Sequence, residues 1–174
     1  MEYWNQRAGE PWAELQDRLD ALLAPLSAAG LAAARVRPGE RVLDVGCGCG
    51  DTTIALSAMG ASVLGVDVSA PMLGRARSRD VSIEYQQADA ATTDFAHAFD
   101  LVFSRFGVMF FDDPTAAFLN LRNALKPGGR LLFVCWQPPA VNPWMATAGR
   151  AIAPYLPPSD EAPNPRAPGP FAFA

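Results

Sequence analysis

The sequence predicts an α/β fold: a doubly wound, mainly parallel sheet of about five strands with helices on its faces. Two observations carry this. Short apolar or alternating runs recur with helical patterns between them and short connections, the arrangement of βαβ units. In addition, the stretch RVLDVGCGCGD (41–51) passes from an apolar run holding one carboxylate, Asp44, into glycine at every second position. A helical pattern follows at once, so this is strand, tight loop, helix start. The chain has 174 residues, half of them hydrophobic, enough for one domain with a real core.

Taken in order, residues 1–10 are polar with two aromatics, Tyr3 and Trp4, and Pro11 suits the first turn of a helix. Leu15, Leu19, Leu22, Leu23 and Leu26 recur at helical spacing and predict one apolar face. Pro25 sits inside that pattern and predicts a break, with a second helical piece over 28–34 ending before Arg37-Pro38-Gly39. Strand one is 41–45. A helix over 52–59 ends at Gly60. Strand two is 62–66, closed by Asp67. The next helix begins at Ala70-Pro71 with Ser69 as its N-cap. Strand three, 82–86, alternates apolar and polar residues and suits an edge. Strand four is 99–104. A helix from Pro114 presents Phe118, Leu121 and Leu125, and Lys126-Pro127-Gly128-Gly129 stops it. Strand five is 130–136. Strands one, four and five read as continuous apolar runs, as in strands covered on both faces. Three segments result: a helical 1–37, a core over 38–137, and a proline-rich 138–174 with one helix over 144–155.

Charge and composition exclude several classes. The net charge is −4 and the pI about 4.9, which argues against a broad nucleic-acid surface. No apolar run is long enough to span a bilayer, and the N-terminus lacks a basic-then-apolar signal pattern, so a cytoplasmic protein is expected. Cys47, Cys49 and Cys135 fit a reducing compartment. Cys47 and Cys49 are too close for a zinc knuckle, and His97 is far off in sequence, so no metal site is expected.

The handedness of parallel crossovers puts every strand's C-terminal end on one rim, where such sheets bind ligands. Asp44, Asp67 and Asp89 gather there. Glycines let the backbone take positive φ and let a ligand approach where a Cβ would block it. The helix start behind them presents unpaired N–H groups. Asp67 lies ~20 residues beyond the glycine loop, where a carboxylate receives ribose hydroxyls in nucleotide-binding sheets. The dinucleotide spacing Gly-x-Gly-x-x-Gly fails in both frames, because position 51 is aspartate and position 53 threonine. That weakens the reading as a nicotinamide oxidoreductase.

VLDVGCGCG (42–50) resembles the first motif of class I S-adenosylmethionine-dependent methyltransferases. VLGVDVS (63–69), QQADA (86–90), FDLVFSRFGVMFF (99–111) and LRNALKPGGRLLFV (121–134) are similar to the motifs that follow it, in order and in register, from about Val42 to Trp136. The closest look is to bacterial small-molecule enzymes, including those of quinone pathways. The resemblance implies a Rossmann-like sheet of order 3-2-1-4-5, S-adenosylmethionine as cofactor and a small-molecule methyl acceptor. By resemblance, Gly46 and Gly48 pass under the methionine part, with Cys47 as the small cofactor-binding loop residue between them. Asp44 fixes the loop or the cofactor amine, Asp67 with Val68 holds the ribose, and Asp89 with Ala90 flanks the adenine. Ser104, Arg105 and Phe106 face the methyl group and the acceptor. Tyr3 and Trp4 either close over the cofactor or pack as an N-terminal staple. Methyl transfer needs alignment rather than an obligatory base. His97 lies at the opposite rim, and Asp112 and Asp113 read as caps.

The family sheet continues beyond strand five, so a truncated chain is expected, with strand five as an apolar edge prone to self-association. An inactive or partner-dependent cofactor-binding fragment is the alternative to an active enzyme. Trp136, Trp144 and Met145 are candidates for an apolar acceptor wall or for helix packing on the sheet.

Overall fold

The computed structural model describes residues 2–156 and 167–173. Two short helices, α1 (Glu2–Gln6) and α2 (Gly9–Glu14), lead into the long α3 (Gln16–Ala34). The core then alternates β1 (Arg41–Val45), α4 (Asp51–Ala58), β2 (Ser62–Asp67), α5 (Ala70–Arg79), β3 (Glu84–Gln87), β4 (Phe99–Arg105), α6 (Pro114–Ala124) and β5 (Leu125–Val134). After it come α7 (Pro143–Ile152) and a 3-10 turn over Ala153–Tyr155 where a single helix over 144–155 was expected. The five strands are all parallel in the order β3-β2-β1-β4-β5. This is the order that the resemblance implies.

Alternation along the strands splits the core into two layers. Val42, Leu101 and Phe103 point to the side of α3 and α4, with Leu56 and Ala34. Leu43, Val45 and Val102 point to the side of α6, with Ala117 and Leu121. The central strands β1 and β4 are thus covered on both faces, which explains why they are mostly apolar. The expected caps form: the Ser69 hydroxyl accepts from the Met72 N–H, and the Asp113 carboxylate from the Ala116 N–H.

Four expectations need correction. Helix α3 is continuous through Pro25, which lies on its exposed side. Only part of the leucine face is buried: Leu23 is enclosed, but Leu15 and Leu22 are 46% and 71% exposed. Helix α3 also buries Gln16, Ser27, Gly30 and Ala34. A Cβ on Gly30 would stand 2.9 Å from the Val134 side chain, so the glycine lets α3 lie close on the sheet. Strand three spans 84–87 rather than 82–86, fixed by pairing of Leu64 with Glu84 through Asp67 with Gln87. It is the outer strand, as expected. Strand five already pairs at Leu125, where it meets Phe99. The Lys126–Gly129 turn is accommodated as an irregularity before pairing resumes at Arg130 with Leu101.

β5 is the other edge, and its residues are half-buried rather than enclosed. Part of its face is covered by the chain's own last residues. The Gly169 N–H donates to the Met109 carbonyl at 2.9 Å, and the Phe173 ring packs on Phe118 and Phe133. The side chains of Trp144 and Met145, and the prolines at 157, 158, 163 and 165, lie outside the described residues.

Candidate functional site

The C-terminal rim of the sheet carries a cavity of about 580 Å³, within the usual range for a small-molecule site. Its floor is the bend after β1. The Gly46 and Cys47 N–H groups both donate to the Val66 carbonyl, at 2.8 and 3.1 Å, tying the bend to the end of β2. Gly46, Gly48 and Gly50 have φ of +67°, +55° and +84°, which L side chains adopt only with strain. A Cβ on Gly46 would sit 2.6 Å from the Gly107 Cα, so two glycines allow the loops after β1 and β4 to touch.

Asp44 is wholly buried beneath this bend. One of its oxygens, Oδ2, accepts from both the Thr52 and Thr53 hydroxyls at 2.7 Å, pinning the first turn of α4. The other, Oδ1, is buried without a protein partner. Burial pushes this carboxyl up to about 6, against the pull of the two threonine hydroxyls and the charge of Arg105. Asp67, at the end of β2, accepts from the Gly48 N–H and the Ser69 N–H, each at 2.8 Å. Burial raises its pKa as well, while those backbone bonds oppose the rise. Each of its oxygens keeps a lone pair that can receive a ligand hydroxyl.

The neighbouring positions are held by contacts of their own. Val68 lines the cavity; its carbonyl accepts from Asn5 Nδ2 and Gln87 Nε2. The Asp89 carboxylate accepts from the Ala91 N–H at 2.9 Å, and the Ala90 carbonyl from Asn120 Nδ2 at 3.0 Å, so this turn is held from two sides. Cys47 lines the cavity, but it packs on Leu73, Ala76 and Tyr85. Burial drives its thiol well above the usual range, so it is not a nucleophilic thiolate.

The three residues leaving β4 divide. Ser104 does not reach the cavity: its hydroxyl donates to the Val45 carbonyl at 2.8 Å and accepts from the Gly107 and Val108 N–H groups. It shapes the turn instead of facing a ligand, which corrects its assignment beside the methyl group. Arg105 does line the cavity, paired with Asp51 at 2.7 Å and donating to the Ser27 hydroxyl. Phe106 also lines it, at φ +65° and stacked on Trp136 with centroids 4.7 Å apart. An aromatic residue in that region is strained, and such strain gathers at binding sites.

Trp4 forms part of the wall, edge-on to Phe110 at 5.1 Å and to Trp12 at 6.0 Å. Tyr3 is 59% exposed and touches the site only through Trp4. The Trp4 carbonyl accepts from the Ser69 hydroxyl at 2.9 Å, so the N-terminal segment is both wall and staple. His97 is exposed beside Leu125, at the other end of the sheet. Asp112 and Asp113 border the cavity. Sequence reasoning missed the wall from α3 (Leu19, Leu22, Leu23), the Asp51–Arg105 pair, and Pro170 near the end of the chain. No local signal marks them, because each depends on a contact between distant segments.

Comparison with known proteins gives a consistent neighbourhood. The family model described as a methyltransferase domain matches residues 43–133. An uncharacterised protein of Mycobacterium tuberculosis is 36% identical over 122 residues, 67% of this chain and 44% of its own length. The malonyl-[acyl-carrier protein] O-methyltransferase of Enterobacter lignolyticus is 38% identical over 141 residues, 80% of this chain and 53% of its own. The chain therefore spans about half, or less, of the curated relatives it matches. Among solved structures, an S-adenosylmethionine-dependent methyltransferase from Mesorhizobium loti superposes with a TM-score of 0.57 at 35% identity, covering 61% of this chain and 50% of that one. A Haemonchus contortus phosphoethanolamine N-methyltransferase 2, solved with phosphomonomethylethanolamine and S-adenosylhomocysteine, has a TM-score of 0.59 at 30% identity. It covers 70% of this chain and 32% of that one.

Proposed function

This chain belongs to the methyltransferase domain family, and on that premise we propose that it binds S-adenosylmethionine at the β1–β2 rim and passes its methyl group to a small-molecule acceptor. The observation that carries the reading is Asp67 clasping the Gly48 N–H at 2.8 Å, which sets a carboxylate beside a glycine bend that no Cβ obstructs. Under this reading Asp67 receives the two ribose hydroxyls, and Val68, Asp89 and Ala90 border the base. The bend from Gly46 to Gly48 lies under the amino-acid part. Asp44, buried behind the bend and not part of the cavity lining, serves the site indirectly by pinning the first turn of α4 through Thr52 and Thr53.

When bound, S-adenosylmethionine supplies a methyl group on a positively charged sulfur, already activated for displacement. The chain's own work is then alignment and exclusion of water, worth ~7–11 kcal/mol where geometry is good. Arg105 and Asp51 hold the floor of the cavity beside the β4 end, while Phe106 and Trp136 wall it. Trp4 and Phe110 close it from the N-terminal side. No general base is assigned.

Calorimetry on the purified chain tests the reading. S-adenosylmethionine and S-adenosylhomocysteine are expected to bind, with NADH at least tenfold weaker. Preference for the nicotinamide nucleotide would overturn it. Transfer of labelled methyl groups to a panel of small acceptors separates an active enzyme from a cofactor-binding fragment that needs a partner. Three narrower points travel with the proposal. The acceptor side of the cavity is completed around the 38–137 core by residues of 1–37 and of 138–174. The protein acts in the cytoplasm without binding nucleic acid; among the described residues no helix is long and apolar enough to cross a membrane. The open side of β5 lets copies associate, which size-exclusion chromatography across a concentration series reads directly.

A further inference from the structure

The acceptor side of the cavity has a chemistry of its own, and it follows from how α3 crosses the sheet. The Ala34 carbonyl accepts from Arg130, Gly30 lies against Phe103 and Val134, and the Ser27 hydroxyl accepts from Arg105. Helix α3 therefore runs antiparallel to the strands, and Ser27 marks the level of the rim. With a rise of ~1.5 Å per residue, Leu23 stands about 6 Å and Leu19 about 12 Å beyond that level. The stacked Phe106–Trp136 pair stands at the same rim, on the ends of β4 and β5. Leucines on one side and a flat aromatic wall on the other bound a slot above the Arg105–Asp51 floor.

The charges of this slot are one-sided. Apart from Asp67 and Asp89, assigned to the donor, the acids among the described lining residues are Asp20, which pairs with Arg79 at 3.0 Å, Asp51, Asp112 and Asp113, against a single lining cation, Arg105. That cation is already matched: its Nη1 lies 2.7 Å from Asp51 Oδ2, with side chains only 13% and 27% exposed. An anionic acceptor would meet aspartates and an arginine whose charge is spent.

We infer that the slot takes an apolar acceptor without negative charge, flat enough to lie on the Phe106–Trp136 wall, and that it rejects phosphorylated or carboxylated acceptors. This rests on the methyl-transfer reading, since the slot is an acceptor site only if the donor sits at Asp67. It also sets the chain apart in specificity from the relatives named for phosphoethanolamine.

The test uses para-butylphenol and its phosphate ester, identical but for charge, titrated by tryptophan fluorescence into the chain saturated with S-adenosylhomocysteine. Para-butylphenol is expected to bind about tenfold or more tightly than the ester, because like charges crowded in a cleft repel. Equal or tighter binding of the ester, or binding of neither, overturns the inference. A failure of S-adenosylhomocysteine itself to bind, measured first, would instead refute the methyl-transfer reading. Leu22→Lys supplies a second arm. Leu22 lines the slot yet is 71% exposed, so the change leaves the core alone. It should tighten the phosphate ester threefold or more and weaken the phenol. An ester affinity that does not move would show that Leu22 is not at the mouth and would overturn the geometry.

Discussion

Replacing Asp67 by alanine separates the two duties of this carboxylate. In the free protein it accepts from the Gly48 and Ser69 N–H groups at 2.8 Å each. With donor bound, its remaining lone pairs receive the ribose hydroxyls. Hydrogen bonds to a charged acceptor contribute roughly 1.5–3 kcal/mol each. Two lost ribose bonds therefore total ~3–6 kcal/mol gross. Asp67 is largely buried and its pKa raised by burial, so it holds its charge at a desolvation cost that alanine removes. A net loss of about 2–4 kcal/mol remains, which is roughly 30- to 1,000-fold in dissociation constant. Asp67→Asn keeps one acceptor oxygen and should fall between. The assay is calorimetric titration with S-adenosylhomocysteine, after circular dichroism and a melt show that the variant is folded. A folded Asp67→Ala chain whose affinity lies within threefold of the parent would refute the placement of the ribose and the donor site built on it.

Four other outcomes are expected. Gly46→Ala forces a Cβ to 2.6 Å from Gly107 at φ +67°, a strain of ~1–2 kcal/mol from the backbone alone; with about 2–4 °C per kcal/mol, a thermal scan should show the melt fall by at least roughly 2 °C. Ser104→Ala removes the acceptor of two N–H groups and the donor to Val45; urea denaturation should show about 1–3 kcal/mol lost, with donor affinity, measured on the folded variant, changed less than by Asp67→Ala. The carboxyl of Asp44, raised by burial to about 6, binds its proton more tightly folded than unfolded, so its contribution to stability is full below the ordinary carboxylate range and is lost as pH rises through about 6. Melts recorded between pH 5 and 8 should therefore show a decline that Asp44→Asn flattens. At lower pH the sign reverses, because Glu40, bonded to Arg130, and Asp100, bonded to Lys126, are held below their usual values and lose that stabilisation as they protonate.

Several features were legible because they are local chemistry. The alternation of strand and helix, the positive-φ glycines after Asp44, the Ser69 and Asp113 caps, and the carboxylate closing the second strand each follow from residues a few positions apart. Their bonding partners also lie nearby or one strand over. Covered central strands must be apolar, so β1 and β4 announced themselves. The edge position of β3 followed from its alternation.

What only the folded chain decided are the matters of long-range pairing. The leucines of α3 made a regular stripe, yet of them only Leu23 is buried, and the face turned inward also carries Gln16, Ser27 and Gly30. A helix lying tightly on a sheet needs small side chains there, and the leucines are freed to line the slot. Arg105 and Asp51 are 54 residues apart, and nothing near either one names the other. Ser104 stands at the end of a binding strand but donates its hydroxyl to the Val45 carbonyl and accepts from the Gly107 and Val108 N–H groups, so it serves the turn. Periodicity records that a residue is apolar and on which face of its own element it lies. Which neighbour that face meets depends on the packing of distant segments, and the acceptor wall is assembled from such meetings.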